Sequence, residues 1–152
     1  MAGYSGTPLA KKLGIKPEAQ LFILNGPPQV EQWLEPLPAG VTDAGKQAKP
    51  GSADIVLCFA ASRAELARRF TGAMRALKTS GGLWIAWPKQ AARKIDPRWA
   101  TNGAAGSSRK RSSLTENDVR AFGLAAGLVD IKVCAISEVW SGLRFVHRLK
   151  DR

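Results

Sequence analysis

The chain has 152 residues, enough for one domain that buries about 70% of its unfolded surface without disulfide or metal staples. Apolar residues make up 45% and charged residues 23%, which excludes a disordered or fibrous chain. Lys and Arg number 23 against 12 Asp and Glu, a formal net charge of +11, which suits a polyanion such as nucleic acid or an acidic membrane surface, and equally a solvated basic surface.

Thr7-Pro8 followed by Leu9, Leu13 and Gly14 predicts a short helix capped by threonine and ended by glycine. Gln20 to Leu24 reads as a buried strand, and Asn25-Gly26-Pro27-Pro28 follows it. Val30, Trp33 and Leu34 fall on one helical face, which Pro36 and Pro38 end. A short strand is expected near Val41, then a polar loop from Gly45 to Ser52.

Asp54 to Phe59 is continuously apolar after its first residue, as in a central parallel strand covered on both faces. Ser62 and Glu65 form a capping-box pattern, and Leu66, Phe70, Ala73 and Leu77 continue as a helical stripe. Gly81-Gly82 is expected to end that unit before a second apolar strand, Leu83 to Trp87. Lys89 to Ser113 has little apolar content and reads as a long basic loop. Thr115 with Asp118 predicts another cap, with Leu114 stapled onto Val119, and Val119, Phe122 and Ala126 form the inner face of a helix that Gly127 stops. Leu128 to Ser137 and Leu143 to Leu149 read as two strands joined around Trp140-Ser141-Gly142, hence antiparallel.

Cys58 and Cys134 sit in apolar runs at a spacing that suits neither zinc nor a redox pair, so reduced thiols are expected. The first residues lack the apolar core of a signal peptide, and no run approaches the roughly 20 apolar residues of a membrane helix. The expectation is a single cytoplasmic domain over residues 1–152 with no membrane contact.

Asp-Ile-Val-Leu-Cys-Phe at Asp54 to Phe59, the capped helix, Leu77-Lys-Thr-Ser-Gly-Gly-Leu-Trp-Ile-Ala86, the Leu-Thr-x-x-Asp helix and the final strand pair resemble class I S-adenosylmethionine-dependent methyltransferases. The likeness spans about Ser52 to Arg148. Ala2-Gly-Tyr-Ser-Gly-Thr-Pro-Leu-Ala-Lys-Lys-Leu-Gly-Ile15 and Trp140-Ser-Gly-Leu-Arg-Phe-Val146 resemble a small bacterial family, a domain of unknown function, which implies no activity. The methyltransferase resemblance implies a three-layer, Rossmann-like α/β sandwich with a shortened sheet of about six strands. Its order would be 2-1-3-4-6-5 with strand 6 antiparallel, because the stretch from Val41 to Asp54 is too short for the usual helix, strand and helix.

The chain departs from that pattern at the cofactor turn. The pattern has an acidic residue before a Gly-x-Gly turn, whereas this chain has Leu24-Asn25-Gly26-Pro27-Pro28. Two prolines remove two N–H donors, and one glycine remains. Asp43 is the one candidate for the acid that closes the second strand on the ribose hydroxyls. Two readings stand: a turn rigidified after the pocket was lost, or a remodelled pocket built from Asn25, Gly26, Asp43 and Trp87. Trp87 is either a stacking surface or a core residue at a strand end. No Pro-Pro-aromatic segment follows Phe59, which counts against methylation of an amino nitrogen on a base.

The segment from Lys89 to Arg111 carries Lys89, Arg93, Lys94, Arg98, Arg109, Lys110 and Arg111 against Asp96, a net +6, with Trp99 among them. Cations interleaved with an aromatic suit a polyanion through counterion release and stacking, and equally a solvated loop. His147, Trp140 and Arg144 read as structural, and no paired carboxylates, metal-ligand cluster or nucleophile elbow is present. The leading expectation is a non-catalytic methyltransferase-like module that binds nucleic acid or an acidic protein through Lys89 to Arg111. The alternatives are a divergent methyltransferase that uses S-adenosylmethionine and a scaffold subunit that pairs through its open sheet edge.

Overall fold

A computed structural model describes residues 8–43, 49–89, 114–137 and 139–151. Six strands form one sheet: β1 (Gln20–Leu24), β2 (Thr42–Asp43), β3 (Ala53–Phe59), β4 (Leu77–Pro88), β5 (Leu128–Ala135) and β6 (Trp140–His147). Their order is β2-β1-β3-β4-β6-β5, the expected one. The four strands β2, β1, β3 and β4 pair in parallel, and β6 runs antiparallel to both β4 and β5.

Helices cover both faces. On one side lie α1 (Leu9–Lys12) and α2 (Val30–Leu34), packed with Leu21, Ile55, Leu57, Phe59 and Trp84. On the other lie α3 (Arg63–Ala76) and α4 (Glu116–Ala125), packed with Phe22, Val56, Ile85, Leu143 and Phe145. Alternate residues of β3 and β4 feed the two layers, which is why both strands are apolar throughout.

The helix starts follow from side-chain chemistry. Ser62 Oγ accepts the Glu65 N–H at 3.1 Å, and Thr115 and Asp118 complete a reciprocal box. Each satisfies donors that the first helical turn leaves open, worth about 1 kcal/mol. Glu65 departs from the reciprocal pattern: its carboxylate accepts the Ala61 N–H at 2.7 Å. The N-cap of α1 is Pro8, with no side-chain cap, and Thr7 lies outside the described residues. Gly14 ends the α1 turn at φ +80° and Gly127 ends the α4 turn at φ +90°, both left-handed.

Three expectations are corrected. Gly81-Gly82 ends nothing, because β4 runs unbroken from Leu77. There the register against β3 shifts, and Gly81 lies so close to the Asp54 carbonyl that a Cβ would stand 2.7 Å from it. Trp140 to Gly142 belongs to β6 and faces Pro88 to Ala86, so the link from β5 comes before Trp140. Ser137 Oγ holds that link by accepting the N–H groups of Val139 and Trp140 at 3.1 Å each. Ala126 is exposed, and Val119 and Gly123 form the buried line of α4. Among the described residues no helix is long and apolar enough to cross a membrane.

Candidate functional site

The carboxyl ends of β1, β3 and β4 form one rim, reached also by the first turns of α3 and α4. In open α/β sheets, ligands bind at this edge. The turn after β1 therefore has the position expected of it.

That turn is occupied by the chain's own groups. Asn25 adopts φ +58°, a left-handed conformation that asparagine tolerates better than most residues. Its Nδ2 donates to the Phe59 carbonyl at 3.0 Å and so ties the end of β1 to the end of β3. Gly26 is not left-handed, and a Cβ there would stand 2.8 Å from Ile23 Cγ2 and 3.2 Å from Val30 Cγ1. The glycine serves close packing of the turn against α2. Beneath it, the Phe59 ring meets Trp140 edge-on at 4.9 Å and Trp33 at 6.5 Å. These aromatics pack in the α1–α2 layer near the rim.

The other two residues of the expected pocket lie elsewhere. Asp43 pairs with Leu21, three residues short of Leu24. At ~3.3 Å per residue it stands about 10 Å back from the rim along the strands. Trp87 belongs to the α3–α4 layer and is 6% exposed, so its ring is core wall more than open platform. It lines a cleft of about 390 Å³ with Leu114, Thr115, Glu116 and Asn117. The four residues thus do not surround one cavity. Asn25 Nδ2 already donates one hydrogen bond to the Phe59 carbonyl, and Gly26 is packed against Ile23 and Val30.

The cleft beside Trp87 was not read from the sequence. Thr115 carried a capping signal only, and Asn117 carried none. Its polar wall is internally paired: Arg120 donates to Asn117 Oδ1 at 3.3 Å and to Glu116 Oε2 at 2.7 Å. Hydrogen bonds to Glu116 and Asp130 hold the Arg120 guanidinium above its ordinary pKa. Nearby, Arg63 and Asp118 pair at 2.7 Å across the first turns of α3 and α4.

The described residues that flank the segment with most of the expected polyanion contacts lie at this rim. The Lys89 N–H donates to the Val139 carbonyl at 2.8 Å, and Leu114 is fully buried at the other end. Arg93, Lys94, Arg98, Trp99, Arg109, Lys110 and Arg111 lie outside the described residues.

The remaining candidates are structural. Cys58 is buried in β3, and burial pushes its thiol up to about 12, so it stays protonated and inert at neutral pH. Burial also raises the thiol of Cys134. Arg144 pairs with Trp84, well back from the rim, and is wedged between Gly14 and Gly82. Burial lowers its pKa, and its Nε has no hydrogen-bond partner among the described residues. His147 lies at the end of β6 opposite Leu128. Among the described residues no three His, Cys, Asp or Glu side chains gather as metal ligands.

No protein-family profile matches the chain, and no curated protein does. Solved structures match its fold. A candidate type 11 methyltransferase from Sulfolobus solfataricus superposes with a TM-score of 0.60 at 14% identity, covering 92% of this chain and 89% of that one. A SAM-dependent methyltransferase from Aquifex aeolicus gives 0.52 at 11% identity, with 90% and 86% covered. LepI in complex with SAM gives 0.51 at 14% identity, with 95% of this chain and 48% of LepI covered. At such identities the likeness is one of fold: a methyltransferase-like, Rossmann-type α/β sheet.

Proposed function

We propose that this chain is a non-catalytic module on a methyltransferase fold, which binds nucleic acid through the basic segment from Lys89 to Arg111. The observation that carries the reading is the Asn25–Phe59 hydrogen bond across the mouth of β1 and β3. It engages one Nδ2 hydrogen of Asn25 in the turn where the methyltransferase pattern places its cofactor glycines. Pro27 and Pro28 supply no N–H in its place. The net +6 of the segment supports the choice of a polyanion, and the described residues that flank it lie at the rim beside Trp87.

The test is fluorescence anisotropy of a labelled single-stranded oligonucleotide across about 50 to 200 mM salt. The triple variant Arg109→Gln, Lys110→Gln, Arg111→Gln should bind more weakly and lose about 2 from the salt slope, at roughly 0.7 per phosphate contact. Binding that is unchanged in the triple variant rejects the proposal.

The second reading is a divergent methyltransferase, favoured by the fold neighbours, one of which was solved with SAM. It requires S-adenosylmethionine or its demethylated product to bind, at micromolar affinity typical of enzyme ligands.

A further inference from the structure

Helix α3 has two opposite lines. Leu66 and Ala73 are fully buried against the sheet. On the far side, Ala64, Arg68, Thr71 and Arg75 follow at i, i+4, i+7 and i+11, all exposed. Arg69 is exposed on one flank. The helix carries four arginines, no lysine and one acid, Glu65, whose carboxylate is engaged by the Ala61 N–H. Arg63 is paired with Asp118, whereas Arg68, Arg69 and Arg75 have no acid within ion-pair distance among the described residues.

Gly72 adds a second observation. It sits in the middle of this 14-residue helix, exposed, and a Cβ there would meet nothing within 4 Å. A mid-helix glycine costs about 1 kcal/mol relative to alanine. No packing among the described residues requires it, unlike Gly123, where Phe145 leaves no room.

We infer that the outward face of α3 is a contact surface for a nucleic-acid phosphate backbone, with Arg68 and Arg75 taking phosphates and Gly72 admitting the strand. The inference rests on the nucleic-acid reading proposed above and extends it to a second surface. Arg68 and Arg75 are seven residues apart, about 10.5 Å along the helix axis at 1.5 Å per residue. A polymer of phosphates spans that gap, and a single small anion does not. Guanidinium forks match phosphate oxygens two at a time, which suits arginine over lysine. Hot spots of protein interfaces combine arginine with Trp or Tyr, and α3 contains neither aromatic. Among the described residues the exposed large apolar ones are Leu37, Leu124, Ile131, Val133 and Leu149, and none lies on α3.

The test uses the full chain and a fluorescein-labelled single-stranded RNA oligonucleotide, again by anisotropy against salt. The double variant Arg68→Gln, Arg75→Gln should lower the salt slope by about 1.4, two contacts at roughly 0.7 each. The control Lys11→Gln, Lys16→Gln removes the same charge from the opposite layer and should change the slope little. Gly72→Leu keeps the charge and improves helix propensity, yet should weaken binding about tenfold (~1.4 kcal/mol) with the slope unchanged. An unchanged slope in the arginine variant, or an equal loss in the lysine control, overturns the inference. Loss only in the Arg109, Lys110 and Arg111 variant overturns it and leaves the segment reading standing. Loss only in the α3 variants does the reverse. No binding by the wild-type chain rejects both, and capture of an acidic peptide in place of the oligonucleotide rejects the nucleic-acid assignment.

Discussion

Asn25 reaches across the top of the sheet and donates its side-chain amide to the carbonyl of Phe59, 34 residues later, at 3.0 Å. One contact thereby relieves a left-handed backbone, closes the β1–β3 mouth and fixes the direction in which the chain leaves for α2. Asn25→Ala loses the bond and puts at φ +58° a residue that tolerates the left-handed region less well than asparagine. A loss of about 2–3 kcal/mol is expected in urea unfolding, from ~1 kcal/mol for the bond and ~1–2 for the backbone. Asn25→Gly should lose less, because glycine accepts the backbone angle. Equal losses in the two variants would show that the backbone angle contributes nothing.

Gly123 and Gly72 should respond to alanine in opposite directions. A Cβ at Gly123 would stand 2.1 Å from Phe145 Cε1 in the fully buried core, so Gly123→Ala should destabilise by about 1–3 kcal/mol. Gly72→Ala meets open space and should stabilise by up to about 1 kcal/mol. Thermal unfolding of both variants checks the pair. A destabilised Gly72→Ala would mean that α3 does not continue through that residue.

Two carboxylates should govern the response to acid. Burial pushes Asp54 up, but the Gln20 N–H at 2.8 Å and the Lys78 ammonium at 2.9 Å outweigh it, so its pKa lies below the ordinary 3.8. Asp118 is likewise lowered despite burial, by Arg63 and the Thr115 N–H and hydroxyl. A group whose folded pKa is depressed stabilises fully above its unfolded value. That stability is lost as pH falls from about 4 through the lower folded values. Urea midpoints should therefore hold from neutral pH down to about 4 and drop below it. The double variant Asp54→Asn, Asp118→Asn should start lower at neutral pH and drop less steeply. A parallel drop would place the acid sensitivity in other groups.

Much of the fold was legible because its signals are local. The apolar run from Ile55 to Phe59 needs cover on both faces, and the structure supplies α2 on one and α3 on the other. The caps at Ser62 and Thr115 locate the helix starts within three residues of chain. The missed features depend on distant partners. Gly81-Gly82 resembles a terminator, but Gly82 lies under the Arg144 guanidinium, 62 residues away in sequence, and the strand continues through it. Gly142 resembles a turn residue, yet it makes room for Ile136 and Trp84 inside β6. The expected pocket dispersed for a related reason. Asp43, Asn25 and Trp87 were ordered along the chain, while their heights on the strands and their faces of the sheet depend on register and alternation.

Calorimetric titration of the full chain with S-adenosylhomocysteine tests the closed turn most directly. A turn filled by Asn25, Gly26 and the Phe59 aromatics gives no binding heat up to about millimolar ligand. Clear one-to-one binding at micromolar Kd would contradict it and restore a methyltransferase with a divergent pocket.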